Sequence, residues 1–153
     1  TPALEDCVCA ALQVTGVISA MACGGEQAAV SHTLYSYSCC VHPELAAGFL
    51  HGELVGSTLV YQLAVNGAQK EEQEALNRVL RALGMPTCLE ELGLKETSEE
   101  ADRIFAFLAE RMPVETPKEL QRLRGESDVL FHGLRDSAGK LQTKRGEAHE
   151  TGI

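Results

Sequence analysis

The chain has 153 residues, 44% of them hydrophobic and only 5% aromatic, so it is long enough to bury the core of one domain. The formal net charge of −9 makes nucleic acid and anionic membrane surfaces poor partners. No apolar stretch reaches the ~20 residues that a membrane span needs, and no signal peptide is evident. We therefore expect a cytoplasmic protein that binds neither nucleic acid nor a membrane.

The first helix is predicted to open at Thr1 and Pro2, as N-cap and first helical position. Apolar residues at three- and four-residue steps form one apolar stripe along this helix, and Gly24-Gly25 ends the helix. The stripe comprises Leu4, Val8, Ala11, Val14, Ile18 and Met21. A second helix is predicted from Glu26 to about Val41, where Pro43 stops it.

Two further helices follow before Gly84. The segment Leu54–Val65 is apolar nearly all round, which predicts one deeply buried helix. The segment Lys70–Leu83 is amphipathic, and Gly84 and Pro86 are its stop signals. Its inward face is predicted to be Leu76, Val79, Leu80 and Leu83.

Three capping boxes mark the later helix starts, because each Thr is followed three residues on by a Glu. The pairs are Thr87 with Glu90, Thr97 with Glu100, and Thr116 with Glu119. After about Gly125 the apolar pattern weakens, and no convincing strand pattern occurs anywhere. We expect an all-α bundle of six to eight helices over residues 1–125 and a weakly structured C-terminal extension over 126–153.

The charges are unevenly distributed along the chain. Before Lys70 there is no Lys or Arg, and the formal charges are Glu5, Asp6, Glu26, Glu44 and Glu53. So few solvating groups indicate that a second body covers this half. That body is the rest of the chain, a partner domain, or both. Since the first residue is Thr1 rather than Met, we expect the chain to be cut from a longer protein.

Six cysteines are present, without any C-x-x-C pair. We interpret them as small buried residues of a reduced protein, with a zinc-thiolate site as the less favoured alternative. They are Cys7, Cys9, Cys23, Cys39, Cys40 and Cys88.

Two of the five histidines are candidate metal ligands by position: His32 inside the second helix and His51 at the start of the most buried one. Neutral imidazole is a usual ligand of zinc and divalent iron. By spacing alone, a structural histidine is the commoner interpretation of each. His42 and His132, beside turn signals, and His149, in the tail, are weaker candidates.

The run GGEQAAVSHTLYSYSCCVHPELAAGFLHGELVGSTLVYQLAVNG resembles the metal-site segment of the iron-containing alcohol dehydrogenase superfamily, glycerol dehydrogenase branch. That segment has a glycine pair, a His within a helix, and a second His in an H-G-E motif, here His51-Gly52-Glu53. The segments LGMPTCLEELGL and MPVETPKEL support the resemblance, which extends from about Thr1 to Leu123.

The resemblance implies the C-terminal helical domain of a metal-dependent dehydrogenase acting on a small alcohol or polyol. In that family a parallel-sheet domain binds NAD or NADP, and divalent zinc or iron lies in the cleft between the domains. One Asp and two His ligate the ion; His32 and His51 match the histidines, and the Asp belongs to a segment before Thr1. We expect a homo-oligomer, and a chain that alone binds metal poorly and lacks activity. No catalytic or cofactor-binding residue is assigned within it.

Some positions depart from the family pattern. Tyr35 stands where many members have a further His, and its phenol is expected to hydrogen-bond in the cleft or to pack in the core. The His32–His51 spacing of 19 is one residue longer than is typical. Glu53 is expected either to support the metal ligands or, more simply, to stabilise a helix N-terminus.

Other functions remain open at this level. Dehydroquinate synthase and glycerol-1-phosphate dehydrogenase carry a similar histidine pair, although LGMPTCLEELGL favours the glycerol dehydrogenase branch. The chain is alternatively a free-standing helical interaction domain, whose uncovered apolar face would promote self-association.

Overall fold

The computed structural model describes residues 1–9, 29–112 and 117–134. These residues contain helices and no strand, which confirms the all-α prediction. Residues 2–9 form α1. The other helices are α2 (Val30–Val41), α3 (Pro43–Ala46), α4 (His51–Gly56), α5 (Leu59–Val65), α6 (Lys70–Ala82), α7 (Leu89–Leu92), α8 (Ser98–Arg111), α9 (Pro117–Gly125) and α10 (Ser127–His132). Some are single turns, so the helices outnumber the six to eight expected.

Helix α2 lies at the centre of the packing. It contacts α3, α4, α5 and α8, while α10 packs against α5, α7 and α9. Four aromatic side chains fill the interior between these helices and are almost fully buried: Tyr37, Tyr61, Phe105 and Phe131. No helix in the described ranges is long and apolar enough to cross a membrane.

The predicted single helix over Leu54–Val65 is in fact two helices, α4 and α5, separated at Ser57 and Thr58. The hydroxyls of these two residues donate to Leu54 O at 2.8 Å and Val55 O at 3.2 Å. Side chains that bond to nearby carbonyls compete with the helical ladder. Thr58 also departs from helical geometry, with φ −115° and ψ 4°. The predicted deep burial is observed at Leu54 and Val60.

The inward face predicted for α6 is largely wrong. Leu80 is buried, but Val79 is 55% exposed and Leu83 68% exposed, and Leu76 is only half-buried. The physical reason is that α6 packs mainly on one neighbour, α5. A helix with a single neighbour buries a narrower stripe than its apolar residues would allow.

The two ends of the chain also differ from expectation. Leu4 and Val8 on α1 are exposed, and the rest of the predicted first helix, with Gly24-Gly25, lies outside the described residues. Helix α2 begins at Val30 rather than near Glu26, because Ala29 is extended, with φ −82° and ψ 131°. Ser127–His132, within the extension expected to be weakly structured, forms α10.

One of the three predicted capping boxes forms its hydrogen bond from the backbone amide to the Thr side chain. The Thr97 hydroxyl accepts a hydrogen bond from the Glu100 amide at 3.1 Å and caps α8. The amide and hydroxyl of Thr87 instead donate to Glu91, so the predicted partner Glu90 is wrong. Thr116 lies outside the described residues, although α9 does begin at Pro117 as predicted.

Removal of the α8 cap should have a modest, measurable effect. We expect Thr97→Ala to lower the free energy of unfolding by about 1 kcal/mol, because an N-terminal amide loses its acceptor. The measurement is urea unfolding followed by far-ultraviolet circular dichroism. Ser98→Ala, at the next position and also exposed, is the control and should stay within about 0.5 kcal/mol of the parent. Equal effects at both positions would contradict the assignment.

Candidate metal centre

The two histidines singled out by the sequence lie together on the surface. His32 is in the first turn of α2, and His51 is the first residue of α4. Their ring centroids are 5.8 Å apart, with an angle of 51° between the ring planes. Both residues are exposed. Helix packing therefore brings together two imidazoles that are separated by 19 positions in the sequence.

Local contacts fix the two helix starts that present these rings. Val30, Ser31 and Leu34 are buried, so the opposite face of α2, which carries His32, points outward. The Ser31 amide donates to Gln62 Oε1 at 3.0 Å, which ties the start of α2 to α5. At α4, Glu53 Oε2 accepts from the Leu50 amide at 2.9 Å. Glu53 therefore stabilises the helix N-terminus beside His51, the simpler of its two predicted roles.

The Tyr35 ring packs against the His51 ring. The two rings meet edge-on, with centroids 4.3 Å apart, and Tyr35 also packs against the hydrophobic core. A hydrogen bond with Cys39, one turn further along α2, raises the pKa of the Tyr35 phenol above 10.0. Since the phenol stays protonated near neutral pH, it contributes no anionic oxygen to the pair.

The donor set on this face is incomplete for a catalytic metal. Within residues 1–9, 29–112 and 117–134, no group of three or more His, Cys, Asp or Glu side chains could hold an ion. Two imidazoles bound to one tetrahedral ion at ~2.1 Å have ring centres roughly 5–6 Å apart. The spacing of His32 and His51 fits that geometry. By this distance the two rings suit two ligands of one ion, and the described residues supply no third.

The cysteines differ from the sequence-based interpretation. Cys88 is buried and Cys39 half-buried, but Cys7, Cys9 and Cys40 are exposed, so general burial was wrong. Cys23 lies outside the described residues. All five described cysteines are free thiols, and none contributes to a zinc-thiolate cluster in the described part of the chain. Burial is the main cause that raises the pKa of the Cys88 thiol to about 11, so this thiol is unreactive.

Two other histidines have strong partners that the sequence did not reveal. His42 Nε2 lies 2.7 Å from Glu100 Oε1, which also accepts from the Tyr37 hydroxyl at 2.7 Å. His132 lies between Glu90 and Glu96. These partners are 58 and 36–42 residues distant from the histidines, so no local pattern could predict the pairs.

No protein-family model, curated protein or solved structure matches this chain.

Proposed function

We propose that this chain is the helical half of a metal-dependent alcohol dehydrogenase of the iron-containing superfamily, glycerol dehydrogenase branch. The observation that carries the proposal is the convergence of His32 and His51, from two helices, on one exposed face. The sequence resemblance selects the family. The complete enzyme would oxidise a small alcohol or polyol with NAD or NADP, and would be a homo-oligomer.

In this proposal the chain supplies two neutral imidazole nitrogens to a divalent zinc or iron ion. A carboxylate from the nucleotide-binding domain supplies the third protein ligand, which leaves a position for substrate. When bound, the ion supplies a Lewis acid that polarises the substrate hydroxyl. Tyr35 limits rotation of the His51 ring, and Glu53 holds the helix start that carries it. Both act as positioning residues.

The surface around the pair suits a face covered by a second domain. Leu50, directly before His51, is 74% exposed. No Lys or Arg occurs in the chain before Lys70, so no permanently charged basic side chain among the first 69 residues competes with a divalent cation. Exposed free thiols such as Cys40 suit a reducing compartment, which supports the expected cytoplasmic location.

Zinc titration tests the histidine pair directly. We expect Zn²⁺ to shift the imidazole resonances of His32 and His51 together, with weak affinity, because only two ligands are present. The binding free energy at neutral pH should be far smaller than the roughly 10–16 kcal/mol that is apparent for structural zinc sites. His32→Ala and His51→Ala should each abolish the coupled shift, whereas His132→Gln, remote in sequence, should leave it unchanged. The isolated chain should show no dehydrogenase activity.

A variant designed to bind Zn²⁺ more tightly provides a second test. Tyr35→His places a third imidazole three residues after His32, beside the His51 ring. Affinity for Zn²⁺ should rise by roughly tenfold or more, at least as much as the effect of groups that only hydrogen-bond to metal ligands. Absence of any His32 or His51 shift at millimolar Zn²⁺ would contradict the metal assignment. A stoichiometric ion that resists chelators in the parent chain would contradict the need for a second domain.

The DNA before the Thr1 codon tests the dehydrogenase assignment itself. The proposal expects an open reading frame that encodes a glycine-rich strand–turn–helix and, later, the ligating Asp. A stop codon directly upstream would contradict it. The result would then favour the free-standing interaction domain, for which sedimentation of the purified chain would report self-association.

A further inference from the structure

His132, the last residue of α10, is held between two carboxylates from different parts of the fold. Its Nδ1 lies 3.1 Å from Glu90 Oε2 on α7, and its Nε2 lies 2.7 Å from Glu96 Oε2 in the link between α7 and α8. A neutral imidazole has a proton on only one ring nitrogen. Because both nitrogens face acceptors, both contacts are hydrogen bonds only when the ring is protonated.

The backbone around His132 fixes the ring in this position. The preceding residues Leu130 and Phe131 are fully buried, and they anchor α10 in the core. The chain then turns at Gly133, which has φ +73°. A Cβ at Gly133 would lie 3.5 Å from Cys88 Cβ, so this turn packs directly on the segment before α7. The imidazole therefore meets its carboxylates across a close interface.

Other titratable and charged groups lie on α10 itself and on the helices that pack against it. On α5, the titratable residue is Tyr61, whose hydroxyl donates to Leu123 O at 2.9 Å. On α7, Glu91 binds Thr87 and Arg81. Helix α9 carries Lys118, Glu119, Arg122 and Arg124, of which Arg124 pairs with Asp102. Asp128 lies one turn before His132 on α10 and has its own contacts. In the described residues, Glu90 and Glu96 are the carboxylates paired with this ring.

We propose that His132 is a pH-operated latch, which when protonated clamps α10 to both α7 and the α7–α8 link. When the imidazolium loses a proton, one of the two carboxylates loses its hydrogen bond. The positive charge that lies between Glu90 and Glu96 is lost as well. Both carboxylates are partly exposed, at 39% of each side chain, so protons exchange freely with solvent. The latch thus opens without any rearrangement of the core.

The direction of the pH dependence follows from the contacts. The hydrogen bond to Glu90, aided by that to Glu96, raises the pKa of His132 above its ordinary 6.5 against the opposing effect of burial. Because the folded pKa is the higher one, the stabilisation is fully present below pH 6.5 and is lost as pH rises through the folded pKa. The latch is therefore closed below pH 6.5 and opens as the pH rises through the raised pKa of His132.

Nuclear magnetic resonance of the 153-residue chain measures the latch without disturbing it. We expect the His132 ring to titrate above 6.5, and Glu90→Gln and Glu96→Gln each to lower that midpoint. Glu71→Gln, exposed on α6, is the matched control and should leave the midpoint unchanged. A midpoint at or below 6.5, or one that neither glutamine variant lowers, would overturn the proposal.

Hydrogen exchange tests whether titration of the ring releases α10. After correction for the intrinsic pH dependence, protection of the α10 amides should fall as pH rises, by at most about tenfold per pH unit for one proton. In His132→Gln the corrected protection should not depend on pH over the same range. Parallel profiles for parent and variant would overturn the latch even if the ring titrates as expected.

Discussion

Replacing Phe131 with alanine should lower the free energy of unfolding by about 3–5 kcal/mol. Phe131 is fully buried on α10 and belongs to the main hydrophobic cluster. Its removal loses the transfer free energy of the ring and leaves a cavity that the surrounding helices fill only in part. Because α10 packs on α5, the effect should extend to the centre of the fold.

The control for this prediction is Leu83→Ala. The sequence pattern predicted that Leu83 faces inward and that residues beyond 125 are weakly structured, whereas the fold exposes Leu83 and buries Phe131. We therefore expect Leu83→Ala to stay within about 0.5 kcal/mol of the parent. Urea unfolding at matched pH measures both variants. A larger loss for Leu83→Ala than for Phe131→Ala would contradict the packing of α6 and α10.

The comparison of these two residues indicates what the sequence could predict about the fold. Helical periodicity, capping residues and prolines located α2, α6, α8 and α9 to within a few residues. These signals depend on residues within one or two helical turns, so a single sequence is enough to detect them. Which apolar residues become buried depends on how many neighbours a helix has. That number is set by tertiary packing, which explains the errors at Val79 and Leu83.

The same distinction applies to the candidate site. The resemblance and the H-G-E motif indicated His32 and His51, and the fold brings their rings within 5.8 Å. The contacts of His42 with Glu100 and of His132 with Glu90 were missed because a Glu in a predicted capping position looks the same whether or not its side chain reaches another helix. Glu100 illustrates this, since the Thr97 motif predicted its backbone contact but not its carboxylate contacts.

Glu100→Ala is expected to lower the free energy of unfolding by roughly 2–4 kcal/mol. The substitution leaves the buried Tyr37 hydroxyl without its acceptor and removes a hydrogen bond between α2 and α8. Glu100 Oε1 lies 2.7 Å from both the Tyr37 hydroxyl and His42 Nε2, and its side chain is only 12% exposed. Without Glu100 the buried Tyr37 hydroxyl has no acceptor. The loss would detach the end of α2 from α8, and α2 also carries His32.

The neighbouring residue provides a matched control. Glu99 is on the same turn of α8, but its side chain is 83% exposed and it pairs with Arg103 on the surface. An exposed pair of this kind is worth about 0.3–0.5 kcal/mol, so Glu99→Ala should be nearly neutral. Equal losses for Glu99→Ala and Glu100→Ala would contradict the assigned network.

A double-mutant cycle separates the stranded hydroxyl from other effects of the substitution. In a Tyr37→Phe background no hydroxyl is left without an acceptor, so Glu100→Ala should cost less than in the parent. We expect a coupling free energy of roughly 0.5–3 kcal/mol between the two positions. Burial first, and the hydrogen bond to Glu100 second, raise the pKa of Tyr37, so Glu100→Ala should also lower that pKa. Additive losses together with an unchanged Tyr37 titration would show that Glu100 does not hold the tyrosine, and that α2 depends on apolar packing alone.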